Sequence, residues 1–409
     1  MNHNEKLKEY ARLIVQTGAN VQKNQEVVVS VAVINYEFAR LIVKEAYEAG
    51  AKEVIVIWND VETSRMRYDY GQNEIFESVP NWIAESRNSY AMKKAAFISI
   101  TGNDPEAFKG VDSEKLSLNA KASHKAFELY YRKTMNSEVQ WCVAAAAELK
   151  WAKKIFPGYQ DDEAMRKLWQ AIFAAVRIDE GDTVLKWQKH NAFLGEKCRL
   201  LNKHHFVKLH FKSVLGTDFV IGLHRDHLWE GGAEISKDGI PFVANLPTEE
   251  IFTCPNCFEA EGTVVSAMPL SYQGNIIDEF ALTFKDGKVV DYSAKTGLEI
   301  LTILLDSDEG AKQLGEVALV PYNSPISNMG ILFYETLFDE NAACHLALGE
   351  CYPTTIAGGD KMTKEELTAS GGNSSQVHVD FMIGTADLSI YGITDDGRRI
   401  QIFEKGNWI

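Results

Sequence analysis

An α/β domain with a mostly parallel sheet, followed by an α+β domain rich in antiparallel strands, is the fold that three features of this 409-residue chain predict. Helical periodicity alternates with short buried strands through the first half, and Asp-Gly turns sit beside β-rich segments in the second. The texture changes near residues 190 to 200, after the polar helical stretch GDTVLKWQKHNAFLGEKCRLL, which sets the expected domains at 1–195 and 196–409.

In the first half, Leu7, Tyr10, Ala11 and Ile14 follow helical spacing and stop at Gly18, read as a C-terminal cap. EVVVSV then reads as a buried strand, a helix runs from about Asn35 to Ala49 and ends at Gly50, and EVIVIW follows, completing a βαβ unit. AAFISIT (95–101) and VQWCVAAAA (139–147) supply further apolar strands separated by helical stretches, so a parallel sheet covered by helices is the economical fold. In the second half KDGI at 237, KDGK at 285 and DDGRR at 395 predict hairpins.

Composition narrows the function. With 45% hydrophobic and 24% charged residues the chain is a folded protein, and 57 acidic against 42 basic residues give a formal charge of -15. That balance disfavours nucleic acid and favours a cationic ligand. No stretch approaches the ~18 apolar residues that span a bilayer, and the charged first turns do not read as a leader, so a cytoplasmic location is expected. The six cysteines read as free thiols, and the single C-x-x-C, Cys254 and Cys257, lacks the second pair of a zinc ribbon. The signatures H-E-x-x-H, G-x-S-x-G, G-x-G-x-x-G and the Walker P-loop are all missing.

The second half carries ionisable groups in costly places. In HVDFMIG, His378 and Asp380 share one face of a strand, ~6.6 Å apart along it, while Val377, Val379, Phe381 and Ile383 form the other. Glu316 lies in the apolar strand LGEVALVP on a face with Ala318 and Val320, and His345 in NAACHLALG lies between Ala343 and Ala347, which leave space around the imidazole. Glu249 and Glu250 are adjacent after a proline in NLPTEEIFT, where an ordinary helix start capped by Thr248 is the plainer alternative. FDENAA presents Asp339 and Glu340, read as a solvated pair, and GECYP offers Tyr352 beside a proline. Oxygen-rich ligation with two imidazoles suits a pair of divalent ions.

NLPTEEIFT, LGEVALVP, FDENAACHLALG and HVDFMIG, in that order, resemble the family of two-metal aminopeptidases that comprises aminopeptidases T, S and II. The resemblance implies metal ligation by Glu250, Glu316, Glu340, His345, His378 and Asp380, with Glu316 bridging and Tyr352 lining the site. It also implies a homodimer enclosing a cavity, a catalytic role for the second domain, and removal of N-terminal residues from peptides by two zinc, cobalt or magnesium ions per subunit. Glu249, a carboxylate beside a ligand, is the expected general base, or else it orients that ligand. Tyr352 would donate a hydrogen bond to the oxyanion or bind more passively. Another two-metal hydrolase, such as a phosphoesterase, and a non-catalytic peptide-binding protein are the alternatives.

Overall fold

The computed structural model describes residues 1–272 and 275–409. They divide into two compact units, Met1–Lys189 with Ala233–Pro247, and His190–Gly232 with Thr248–Ile409. The division is therefore not a single cut near residue 195: the chain returns to the first unit over residues 233–247, because a strand from that segment completes the parallel sheet.

In the first unit, β1 (Glu26–Ala32), β2 (Glu53–Asn59), β3 (Ala96–Thr101), β4 (Trp141–Ala145) and β5 (Asn245–Leu246) form a five-stranded parallel sheet in the order β2-β1-β3-β4-β5. Val27 to Val29, Val31, Phe97, Ile98 and Ala144 are buried, as a sheet covered on both faces requires. The helix Tyr36–Glu48 ends where Gly50 takes φ +98°, a left-handed conformation that a side chain would resist. Gly18 has a different job from the expected cap. The helix His3–Leu13 continues as a wider turn over Ile14–Gly18, and a Cβ on Gly18 would lie 2.5 Å from the Cys142 Sγ, so the glycine allows close approach to β4.

The second unit is built on two antiparallel sheets. The larger contains Asn275–Lys285, Pro255–Val265, Asp218–Leu223, Lys208–Lys212, Ser389–Ile393 and Arg399–Glu404 as successive neighbours. Asp286 and Gly287, at φ +50° and +81°, make the tight turn to Lys288–Thr296 that Asp-Gly predicts. The DDGRR turn joins Ser389–Ile393 to Arg399–Glu404, while the KDGI turn belongs to a short hairpin, Glu234–Ile235 with Pro241–Phe242, in the first unit.

The smaller sheet runs β6 (Ile251–Thr253), β7 (Leu314–Leu319), β8 (His345–Gly349) and β9 (His378–Met382), each antiparallel to the next. Val317, Leu346, Leu348 and Phe381 from one of its faces join Phe219, Phe280 and Phe284 of the larger sheet in a single apolar core. Each such side chain contributes roughly 1.5–3 kcal/mol on burial. Because alternate residues of a strand face opposite ways, this core fixes the register and turns Glu316, His345, His378 and Asp380 together onto the other face.

Candidate metal centre

Strand register assembles the cluster. Glu316 of β7 pairs with Ala347 of β8, which pairs with Asp380 of β9, so the two carboxylates flank a methyl group on the intervening strand. One step along, Ala318 pairs with His345, and at the far end of β9 His378 pairs with Gly349. Glycine and alanine between the acids and imidazoles leave the space into which four long side chains lean. Gly315, at a register shift beside Glu316, has no room for a Cβ, which would lie 2.3 Å from the carbonyl oxygens of Gly349 and Glu350. Ala347→Leu should fill the gap: we expect a folded protein with at least about tenfold weaker metal binding, measured by titration with zinc.

The imidazoles show how the centre is oriented. His345 Nδ1 lies 3.1 Å from the Ala343 carbonyl oxygen and His378 Nδ1 lies 2.7 Å from that of Glu350, so each ring donates from Nδ1 and presents Nε2 to the carboxylates. His345 Nε2 is 3.2 Å from Glu250 Oε2 and 3.4 Å from Glu316 Oε1. His378 Nε2 is 3.6 Å from Glu316 Oε2 and 3.4 Å from Asp380 Oδ1. Two triplets result, Glu250, Glu316 and His345, and Glu316, His378 and Asp380, each with donor atoms within 4.8 Å of one another. Glu316 is common to both.

The electrostatics are those of buried anions short of positive charge. Burial, followed by the Asp380 and Glu250 carboxylates, pushes Glu316 up, although His345 and His378 pull it down. Burial alone would lower both imidazoles. Hydrogen bonds and charge from Glu250 and Glu316 nevertheless raise His345 well above its ordinary value, and Asp380 and Glu316 raise His378 to about 10. Asp380 is driven up by burial, but the His378 bond outweighs this and leaves it below the usual carboxylate range. The carboxylates thus hold protons on the imidazoles, and a divalent cation would displace those protons from the same nitrogen atoms.

The remaining sequence candidates take varied positions. Glu340, at the start of a short 3₁₀ turn, is pushed well up by burial and then by Glu250 and Asp380, which places it in the same electrostatic cluster, yet its oxygens complete neither triplet. Tyr352 packs with its ring centroid 4.9 Å from that of His378 and 5.9 Å from that of Phe252. Burial and then Glu316 and Asp380 raise its hydroxyl well above normal, so the phenol stays protonated as a donor. Glu249 and Glu250 leave the loop ahead of β6 in different directions. The Glu249 backbone N–H donates to Asn341 Oδ1 at 2.7 Å, and its Oε2 lies 3.6 Å from His190 Nε2, outside both triplets.

One residue differs from its sequence reading, and another was missed there. Asp339 is buried, not solvated: it accepts N–H bonds from Phe333 at 2.7 Å and Glu335 at 3.1 Å, and burial lifts its carboxyl to about 7 despite them. Its task is to tie the 333–339 loop. His190, on the helix Thr183–His204, was not singled out from the sequence, where it sits in a polar helical run with no neighbouring motif. Its Nε2 lies 2.8 Å from the Thr248 carbonyl oxygen, next to Glu249. Cys254 and Cys257 are both buried, and contact with the Cys351 thiol, then burial, raises Cys254 well above its usual value. Among the described residues no cysteine joins a metal-sized cluster.

The chain matches, over residues 3–408, the family described as thermophilic metalloprotease (M29). It is 48% identical over 404 residues to aminopeptidase AmpS of Bacillus subtilis, covering 99% of this chain and 98% of that one. It is 45% identical over 409 residues to aminopeptidase PepS of Streptococcus thermophilus, covering 100% and 99% respectively. The solved structure of wild-type AmpT from Thermus thermophilus aligns with a TM-score of 0.93 at 38% identity, covering 100% of both chains.

Proposed function

Since this chain belongs to the M29 family of thermophilic metalloproteases, we propose that it is a metal-dependent aminopeptidase whose site takes a pair of divalent cations. Glu250, Glu316 and His345 hold one, Glu316, His378 and Asp380 the other, and Glu340 supplies a fourth carboxylate. The observation that carries this reading is the paired imidazoles, each anchored through Nδ1 to a backbone carbonyl with Nε2 aimed at Glu316. Charge supports the number: four carboxylates balance two dications, whereas one ion would leave an excess of buried negative charge. In this reading the ions are zinc, cobalt or magnesium, and the enzyme works as a homodimer in the cytoplasm on peptides with a free N-terminus. No helix among the described residues is long and apolar enough to cross a membrane.

Bound cations would polarise the scissile carbonyl and lower the pKa of water at the site. The protein's own groups do the rest. Glu249, buried and held beside His190, accepts the proton of the attacking water and passes it to the leaving amine. The Tyr352 phenol, kept neutral by burial and then by its acidic neighbours, donates a hydrogen bond to the oxygen on which charge develops. The net formal charge of -15 favours the approach of a peptide's protonated α-amino group.

A chelator should abolish release of N-terminal residues from aminoacyl-nitroanilides and lower the thermal midpoint, since the acids lose their counter-charge. Restoring metal at a hundred times its dissociation constant should return about 2.7 kcal/mol of stability per site. Nitrophenyl phosphate should remain uncleaved under the same conditions. Activity indifferent to chelation would remove the metal from the mechanism.

A further inference from the structure

Strand β2 (Glu53–Asn59) ends the parallel sheet of the first unit, with β1 on one side and no second strand neighbour among the described residues. Parallel strands are ordinarily buried on both faces, as Val27 to Val29 and Val31 of β1 are. In β2, Val54 to Ile57 are only half-buried and Trp58 is 47% exposed. A groove of ≈ 250 Å³ runs beside the strand, floored by Val56 and Trp58 and walled by Ala39, Arg40, Val43 and Lys44 of the helix Tyr36–Glu48. The Val54 N–H donates to the Tyr47 hydroxyl at 3.2 Å, so Val54 faces away from β1, and alternation turns Val56 and Trp58 the same way. The Phe97 N–H, which donates to the Gln140 carbonyl, fixes the same parity: carried through the registers of β3 with β1 and of β1 with β2, it leaves Glu53, Ile55 and Ile57 bonding inward. Proteins blunt an edge with lysine, proline, a bulge or a short strand. At the sheet's other edge β5 is two residues long, whereas β2 runs for seven with no lysine, proline or register shift.

We infer that β2 is where a second copy of this chain docks, antiparallel and centred on Val56, so that the two parallel sheets become one. The inference rests on the homodimer reading above and names the surface that joins the copies. Two-fold symmetry requires a surface that complements itself, and this edge does. About Val56, each outward-facing residue meets another outward-facing one. Val56 meets its own counterpart and exchanges both backbone bonds with it, and the Trp58 N–H reaches the Val54 carbonyl of the other copy. The Val54 N–H keeps its Tyr47 partner. At each end of the seam Lys52 stands opposite Asp60, a match of opposite charges, and nearer the centre Ile55 faces Ile57. Val56 and Trp58 turn their side chains to the groove, so the apolar grooves of the two copies close against each other. A foreign extended peptide could use the edge and the groove, but it would have no need of the symmetric match of Lys52 with Asp60.

Sedimentation of the zinc-loaded full chain, as wild type and as Val56→Pro, tests the seam. Proline is tolerated on an edge strand where the N–H it removes faces away from the sheet, so the variant should fold while losing the central bonds. We expect a dimeric wild type and a Val56→Pro protein whose dimer is on the order of a hundredfold weaker. Should the proline variant not fold, Val56→Cys reads the same contact. The Cα atoms of a hydrogen-bonded antiparallel pair lie ~5.5 Å apart, within the ~4.4–6.8 Å that a disulfide spans. The native cysteines are all buried, so diamide should link Val56→Cys into a covalent dimer and leave wild type unlinked. Val54→Cys, where residue 54 faces Trp58, should also stay unlinked. A dimer that Val56→Pro does not weaken and Val56→Cys does not lock is held by another surface and overturns the inference, as does linking of Val54→Cys as readily as Val56→Cys. A wild type that sediments as a monomer would instead refute the homodimer reading itself, so the two failures are distinguishable.

Discussion

Glu316→Gln should lower turnover by on the order of 10³-fold or more and reduce bound metal from two ions toward one. The substitution keeps the size of the side chain and its place opposite Ala347, so the packing of β7 and β8 is undisturbed. What changes is that a carboxylate common to both triplets becomes an amide that cannot serve two cations at once. Stability should move in the opposite sense from activity. Glu316 is buried among Glu250, Asp380 and Glu340, so neutralising it relieves repulsion, and chelated Glu316→Gln protein should unfold at or above the temperature of chelated wild type. Differential scanning calorimetry with and without chelator, beside metal analysis, reads both effects. A variant that keeps two ions and normal turnover would show that Glu316 is not shared.

Glu249→Gln should behave differently. Its side chain lies outside both triplets and beside His190, so metal content and thermal midpoint should stay near wild type. Turnover should fall by roughly 10² to 10⁴-fold, the usual worth of a positioned general base, with little change in KM. Near-normal turnover would return Glu249 to a purely orienting role through the Asn341 and His190 contacts.

Much of this arrangement is legible in the chain because strand alternation converts spacing into geometry. Val379, Phe381 and Ile383 demand the core, so His378 and Asp380 must share the opposite face, and the same logic applies to Glu316 between Gly315 and Val317. The Asp-Gly turns announce the hairpins for an equally local reason, the positive φ that Asp286 and Gly287 adopt. Non-local facts were hidden. Nothing near Gly18 reveals that Cys142, more than a hundred residues later, will press against it. Asp339 looks solvated beside Glu340, and only the folded loop supplies the N–H groups of Phe333 and Glu335 that let it be buried. The return of residues 233–247 to the first unit depends on an edge position beside β4 that composition does not signal. His190 is likewise brought to Glu249 by the fold and by no motif.

The most direct test is an anomalous-scattering map from crystals of the zinc-loaded protein. Two peaks are predicted, one bounded by Glu250, Glu316 and His345 and the other by Glu316, His378 and Asp380, with a Glu316 oxygen on each. Zinc bound elsewhere on the chain, or a single peak that leaves Glu316 touching no ion, would contradict the shared two-cation centre.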